Sequence, residues 1–120
     1  MKKSICILED NITTREILEF LLTEEDYDVY SCSNARDFWQ EMSSHLPDMI
    51  VLDIHLQDGN GLDICNRLKA NSKTHNIPVM MMSGDNYLNK VKAKCPADEF
   101  INKPFNINDF MDRVVHYAPN

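Results

Sequence analysis

Five short apolar runs, separated by segments of helical period, constrain this chain more than any other feature. Residues 5–8, 29–32, 49–52, 77–82 and 100–101 read as strands, and the first, third and fourth runs are almost wholly apolar. Such runs suit strands buried on both faces. Between them Ile17, Leu18, Leu21 and Leu22 recur at helical spacing, as do Phe38, Trp39 and Met42, then Leu62, Cys65 and Leu68. Each set offers one apolar stripe with which a helix can cover a sheet. Ile107, Phe110, Met111, Val114 and Val115 repeat the pattern after the fifth run, and Asn106 is placed to cap that helix. Segment 86–94 carries a weaker helical signal. Right-handed crossovers between parallel strands then predict an α/β fold, a doubly wound five-stranded parallel sheet of order 2-1-3-4-5.

With 120 residues and 43% hydrophobic content, the chain fits one compact domain spanning 1–120. A formal net charge of −7 argues against direct binding to nucleic acid, whose phosphates would be repelled. No stretch approaches the roughly 20 apolar residues of a membrane span, and the Met-Lys-Lys start lacks the apolar run of a signal peptide. A cytoplasmic location is therefore expected. Cys6, Cys32, Cys65 and Cys95 lie far apart in sequence without the paired spacing of a zinc site, and are expected to be reduced, structural thiols.

In a parallel sheet all strands end on one edge, and ligands bind in the crevice outside those carboxyl ends. The first run leads into Glu9 and Asp10, the third into Asp53, the fourth into Ser83, and the fifth into Asn102, Lys103 and Pro104. Three carboxylates brought together repel one another unless a hard cation such as Mg²⁺ neutralises them. A lysine and a hydroxyl beside them suit phosphoryl transfer, which needs the phosphoryl charge compensated and the group positioned. An aspartate carboxylate is itself a competent acceptor. A single acid at a strand end is most often a solvated turn residue or a helix cap. The acid pair, the lone acid, the hydroxyl and the Lys-Pro pair, each after its own apolar run, make that reading hard to sustain for all of them together.

On these residues the chain resembles the receiver domains of two-component signalling, which share a flavodoxin-like sheet. The motifs are I-L-E-D at 7–10, I-V-L-D at 50–53, Gly61 eight residues after Asp53, M-S-G at 82–84 and K-P-F at 103–105. The resemblance covers the whole chain. It implies that Asp53 accepts a phosphoryl group and that Mg²⁺ is held by Asp10, Asp53, the main-chain carbonyl of His55 and, more indirectly, Glu9. Ser83 would hydrogen-bond the phosphoryl group, Lys103 would pair with it, and Phe100 would turn with the switch. His55 and Asp85, two residues after Asp53 and Ser83, would set the lifetime of the phosphate. The sequence departs from the usual receiver pattern at Leu56 and Gln57, at Gly84, and at Pro96 and Ala97, none of which removes a catalytic group. His45, His75 and His116 lie outside the strand-end cluster and read as surface residues.

The resemblance further implies a signalling module that catalyses its own phosphorylation and dephosphorylation. Its partners would be a sensor histidine kinase or phosphotransfer protein and a downstream effector protein or domain. A tight homodimer is not the favoured state, because the 20 positions from Ser83 to Lys103 are roughly two fewer than in similar receivers, which alters the usual dimerising face. Two other classes fit less well. An aspartate-nucleophile hydrolase of the haloacid dehalogenase type would carry a second Asp where His55 stands, and a flavodoxin-like electron carrier would not place Glu9 and Asp10 against a flavin phosphate.

Overall fold

The computed structural model describes residues 2–84 and 94–120, in which the apolar runs become strands in the expected places. In chain order the elements are β1 (Ser4–Leu8), α1 (Ile12–Glu24), β2 (Asp28–Cys32), α2 (Ala35–Ser44) and β3 (Met49–Asp53). A short hairpin follows, β4 (His55–Leu56) with β5 (Gly59–Asn60), then α3 (Gly61–Ala70), β6 (Val79–Ser83), β7 (Glu99–Asn102) and α4 (Ile107–Tyr117). The main sheet has the order β2-β1-β3-β6-β7, with every neighbouring pair parallel. Counting only its five strands, this is the expected 2-1-3-4-5 order of a doubly wound flavodoxin-like sheet.

Alternation along the strands divides the core in two. Cys6, Leu8, Ile50, Leu52, Val79 and Met81 pack with Phe38 and Met42 of α2 and Ile64, Cys65 and Leu68 of α3. Ile5, Ile7, Met49, Val51, Met80 and Met82 pack with Leu18 and Leu22 of α1 and Phe110 and Val114 of α4. Successive strand side chains point to opposite faces, so a strand covered on both sides is apolar throughout.

Several boundaries differ from the sequence reading, for local reasons. The fourth strand begins at Val79 rather than at position 77, because Pro78 has no N–H to give a ladder; its carbonyl still accepts from Ile50 N at 2.9 Å. Ile17, Ile107 and Val115, expected on covered helix faces, are 49%, 50% and 48% exposed. Asparagine caps each of the four helices among the described residues: Asn11, Asn34, Asn60 and Asn106 accept from Thr14, Asp37, Leu62 and Asp109 N–H groups. The helical signal over 86–94 lies outside the described residues, apart from Lys94. All four cysteines are free and buried, and no helix among the described residues is long and apolar enough to cross a membrane.

Candidate functional site

The carboxyl ends of the central strands bring the acids together. Glu9 and Asp10 follow β1, Asp53 is the last residue of β3, and the three offer carboxylate oxygens within 4.8 Å of one another. Glu9 is fully buried and Asp53 is 6% exposed, whereas Asp10 is half-buried. Lys103, just beyond β7, reaches back across the sheet edge, and its Nζ donates to Glu9 Oε1 at 2.5 Å and to Asp53 Oδ2 at 3.1 Å. Glu9 also accepts from Asn11 N–H through Oε2 at 3.2 Å, and its backbone carbonyl accepts from Arg15 Nη1 at 2.9 Å.

Electrostatics follow from this crowding. Burial, then the hydrogen bond and charge of Asp53, push the Glu9 carboxyl up to about 7 against the pull of Lys103. Burial alone would lower the Lys103 pKa, but the hydrogen bonds and charges of Glu9 and Asp53 outweigh it and raise that pKa above the ordinary lysine value. Lys103 thus answers two of the three clustered carboxyl groups. Clustered hard oxygens of this kind fit a divalent cation such as Mg²⁺, and Glu9, Asp10 and Asp53 are the residues that would hold it.

Backbone contacts build the loop that follows Asp53. His55 N–H donates to Asp53 Oδ1 at 3.3 Å, Ile54 N–H to Met82 O at 3.1 Å, and Gly61 N–H to Ile54 O at 2.8 Å. A Cβ on Gly61 would lie 2.2 Å from the Asp53 carbonyl oxygen, so only glycine lets α3 start this close to the acid. At the hairpin tip Asp58 accepts from the N–H groups of Ala35 at 2.8 Å and Arg36 at 3.3 Å, at the start of α2. The Ala35 N–H in particular holds the Asp58 carboxyl below the usual carboxylate range. The loop after β7 is anchored differently. Lys103 N–H donates to Ser83 O at 2.7 Å, the Lys103–Pro104 bond is cis, and Phe105 stacks on Phe110 at 5.2 Å between ring centroids.

The remaining expected residues lie around this centre. Ser83 is buried at the end of β6, and its Oγ donates to Gly84 O at 3.2 Å. His55 has an exposed side chain, and Phe100 is half-buried against the α2–α3 core, its carbonyl accepting from Arg113 Nη1 at 2.7 Å. Asp85 lies outside the described residues. His45 pairs with Glu41 and His75 with Ser72 O, while His116 packs on Tyr117. Sequence reasoning missed the bridge from Lys103 to Glu9, the Arg15 contact and the Asp58 clamp. Only the last had a local signal, an Asp-Gly turn one residue before the Asn60 cap.

Comparison with known proteins adds a family and a fold. The sequence profile of the response regulator receiver domain matches residues 5–115. The structure is similar to the signal receiver domain of a signal transduction histidine kinase from Syntrophus aciditrophicus, at 28% identity and a TM-score of 0.90 over 97% of this chain and 89% of that one. It is also similar to a response regulator receiver modulated diguanylate cyclase from Pelobacter carbinolicus, at 25% identity and a TM-score of 0.79 over 96% and 91%. The chemotaxis response regulator CheY4 of Vibrio cholerae shares the fold, at 18% identity and a TM-score of 0.88 over 98% and 99%.

Proposed function

The chain belongs to the response regulator receiver domain family, and from that premise we propose that Asp53 accepts a phosphoryl group from a histidine kinase or phosphotransfer protein, with Mg²⁺, as the input step of two-component signalling. The reading rests above all on Asp53: a nearly buried carboxylate at the end of the central strand, 3.1 Å from an ammonium and clustered with two further acids. In the transfer an Asp53 carboxylate oxygen attacks phosphorus, the new P–O bond forms as the P–N bond of the phosphohistidine breaks, and the imidazole nitrogen takes a proton. Bound at the carboxylates, with the His55 carbonyl as a further ligand, Mg²⁺ would supply charge compensation for the phosphoryl oxygens.

The chain's own residues do the rest. Lys103 exchanges part of its contact with Glu9 and Asp53 for the phosphoryl oxygens, and Ser83 Oγ turns from Gly84 O to the same group. Those new contacts favour a second arrangement of the loops after β3 and β6, with Phe100 turning inward. His55 and Asp85, two residues after Asp53 and Ser83 in sequence, set the phosphate's lifetime, so the domain catalyses its own phosphorylation and dephosphorylation. A groove of about 440 Å³ between α1 and the start of α4 shares Lys103 with the site and is walled by Ile17, Pro104, Phe105 and Ile107. Ile12 and Phe20 of α1 are exposed as well, at 59% and 64%. This apolar face beside the acids suits the phosphodonor protein. Similar domains occur in a histidine kinase and in a diguanylate cyclase, which supports a downstream effector as the second partner.

Acetyl phosphate labelling followed by intact mass measurement tests the proposal. One phosphoryl group is expected on the parent with Mg²⁺, and none on Asp53→Asn or after chelation. Equal labelling of all three would overturn it.

A further inference from the structure

Two thiol pairs lie outside the acidic cluster, and phosphoryl transfer uses neither. Cys6 of β1 and Cys32 of β2 are buried in one core cluster, where each thiol perturbs the other. Cys65 of α3 and Cys95, on the segment that leads into β7, are buried in the same cluster, where each thiol likewise perturbs the other. The two pairs sit in unlike surroundings. Cys6 lies within a strand paired on both sides, opposite Tyr30 of β2 and Ile50 of β3, while Cys32 stands opposite Leu8. Joining those sulfurs would draw together two strands already fixed in register.

Cys95 instead lies on a surface segment, its thiol turned inward while Lys94 and Pro96 on either side are exposed. Two contacts fasten that segment to α3 around the thiols. Asn66 Nδ2 donates to Lys94 O at 3.2 Å, and Lys69 Nζ pairs with Asp98 Oδ2 at 2.7 Å. Asn66 follows Cys65 and Lys94 precedes Cys95, so these contacts bring the two thiols together in one buried cluster, beneath a single surface segment.

We propose that Cys65 and Cys95 form an oxidation site that takes a hydroperoxide and closes to a disulfide, cross-linking α3 to the run into β7. The Cys95 thiolate attacks one peroxide oxygen; an S–O bond forms, the O–O bond breaks, and the departing oxygen takes a proton and leaves as water or an alcohol. Cys95 is then a sulfenic acid. The Cys65 sulfur attacks it, an S–S bond forms, and the hydroxide leaves with the Cys65 proton as water. Two electrons pass from the sulfur pair to the peroxide. The order of attack follows from position: Cys95 lies on the outer segment between exposed Lys94 and Pro96, whereas Cys65 lies beneath it on the core face of α3. The cross-link would join the helix that follows the phosphoacceptor loop to the strand that precedes Lys103.

Peptide mapping without reductant, after hydrogen peroxide treatment of the full chain and alkylation of the remaining thiols, decides the matter. The expected product is a Cys65–Cys95 linked peptide, short of two hydrogens and reversed by dithiothreitol, with slower amide exchange over residues 94–98. Cys95→Ser should lack the product and Cys32→Ser should keep it. A Cys6–Cys32 link in its place, sulfinic acid on Cys95 with Cys65 still alkylated, or four unmodified thiols would overturn the proposal. The parent's map suffices even where a serine variant does not fold.

Discussion

The two loops that bring charge to the acidic cluster are held by opposite means. After β3, the chain is fixed by backbone: the Gly61 N–H bonds Ile54 O, the glycine packs on the Asp53 carbonyl, and the hairpin tip is clamped to α2 through Asp58. After β7, the side chain is fixed by charge: Lys103 Nζ is held by Glu9 and Asp53, and the far side of its loop borders an open groove. The fold thus preorganises the acid and leaves the cation on partners it can exchange. That division suits phosphoryl transfer, since the acceptor must be aligned before a donor arrives while the compensating charge must follow the phosphoryl group.

The backbone-held loop should break hardest. Gly61→Ala places a methyl group against main-chain atoms of Asp53 and Ile54 that cannot rotate away. Overpacking of this kind costs about 3 kcal/mol where the neighbour is backbone. Urea unfolding should show that loss, and acetyl phosphate labelling of Asp53 should fall with it. A variant as stable as the parent would mean that the loop is free to shift, and that the contrast between the two loops is wrong.

Lys103→Met probes the charge-held loop, where folding should suffer less than chemistry. Labelling should slow by roughly a hundredfold, the scale of losing one charge-stabilising group. Its effect on stability should depend on pH. Glu9 is raised in the folded state from an ordinary 4.5 to about 7, so the stability its proton contributes is complete below the lower value and is lost as pH rises through the higher one. Lys103 pulls Glu9 down, so removing it lifts Glu9 further and extends that loss upward. In the presence of a chelator, the gap in stability between parent and variant should widen from about pH 6 to about pH 8. A constant gap would mean that Lys103 does not act on Glu9.

A smaller effect is expected where the groove meets a partner. Phe20→Ser removes a ring that is 64% exposed on α1, the helix that forms one wall of the groove. Transfer from a phosphohistidine protein should slow roughly tenfold, as loss of one interface anchor does, while labelling by acetyl phosphate stays at the parent rate. Slowing of both would place Phe20 in folding rather than docking.

How much could be read in advance divides along the same line. Strand order and the identity of the clustered residues were legible because buried parallel strands are apolar throughout, and the residues at their carboxyl ends all land on one edge. Glu9, Asp10, Asp53, Ser83 and Lys103 needed no more than that rule. Contacts between loops were not legible. Asp58 caps a helix whose first residue lies 23 positions earlier in the chain, and Lys103 meets Glu9 across 94 positions. The Cys65–Cys95 pairing likewise depends on how a surface segment lies on α3. The exposure of Ile17 and Ile107 escaped for a related reason: helical spacing says which residues share a face, not where the neighbouring layer ends.

Asp58 gives the smallest of these effects and the finest test of the clamp. Its carboxylate accepts from the first N–H groups of α2 from outside the helix, beyond the Asn34 cap, and the same residue holds the hairpin that begins with His55. Asp58→Ala should lower the melting temperature slightly and speed amide exchange at Ala35 and Arg36, with Asp58→Asn intermediate because an amide oxygen still accepts. Since the folded-state pKa is depressed, the contribution is present above the ordinary aspartate value of 3.8 and is lost as pH falls through the lower folded value. Parent and Asp58→Ala should therefore differ at neutral pH and converge in acid. If the clamp also steadies the His55 carbonyl, the alanine variant should bind Mg²⁺ more weakly at neutral pH. Unchanged affinity with faster exchange at α2 would confine Asp58 to capping the helix, and the loop after β3 would then owe its order to Gly61 and its own backbone bonds.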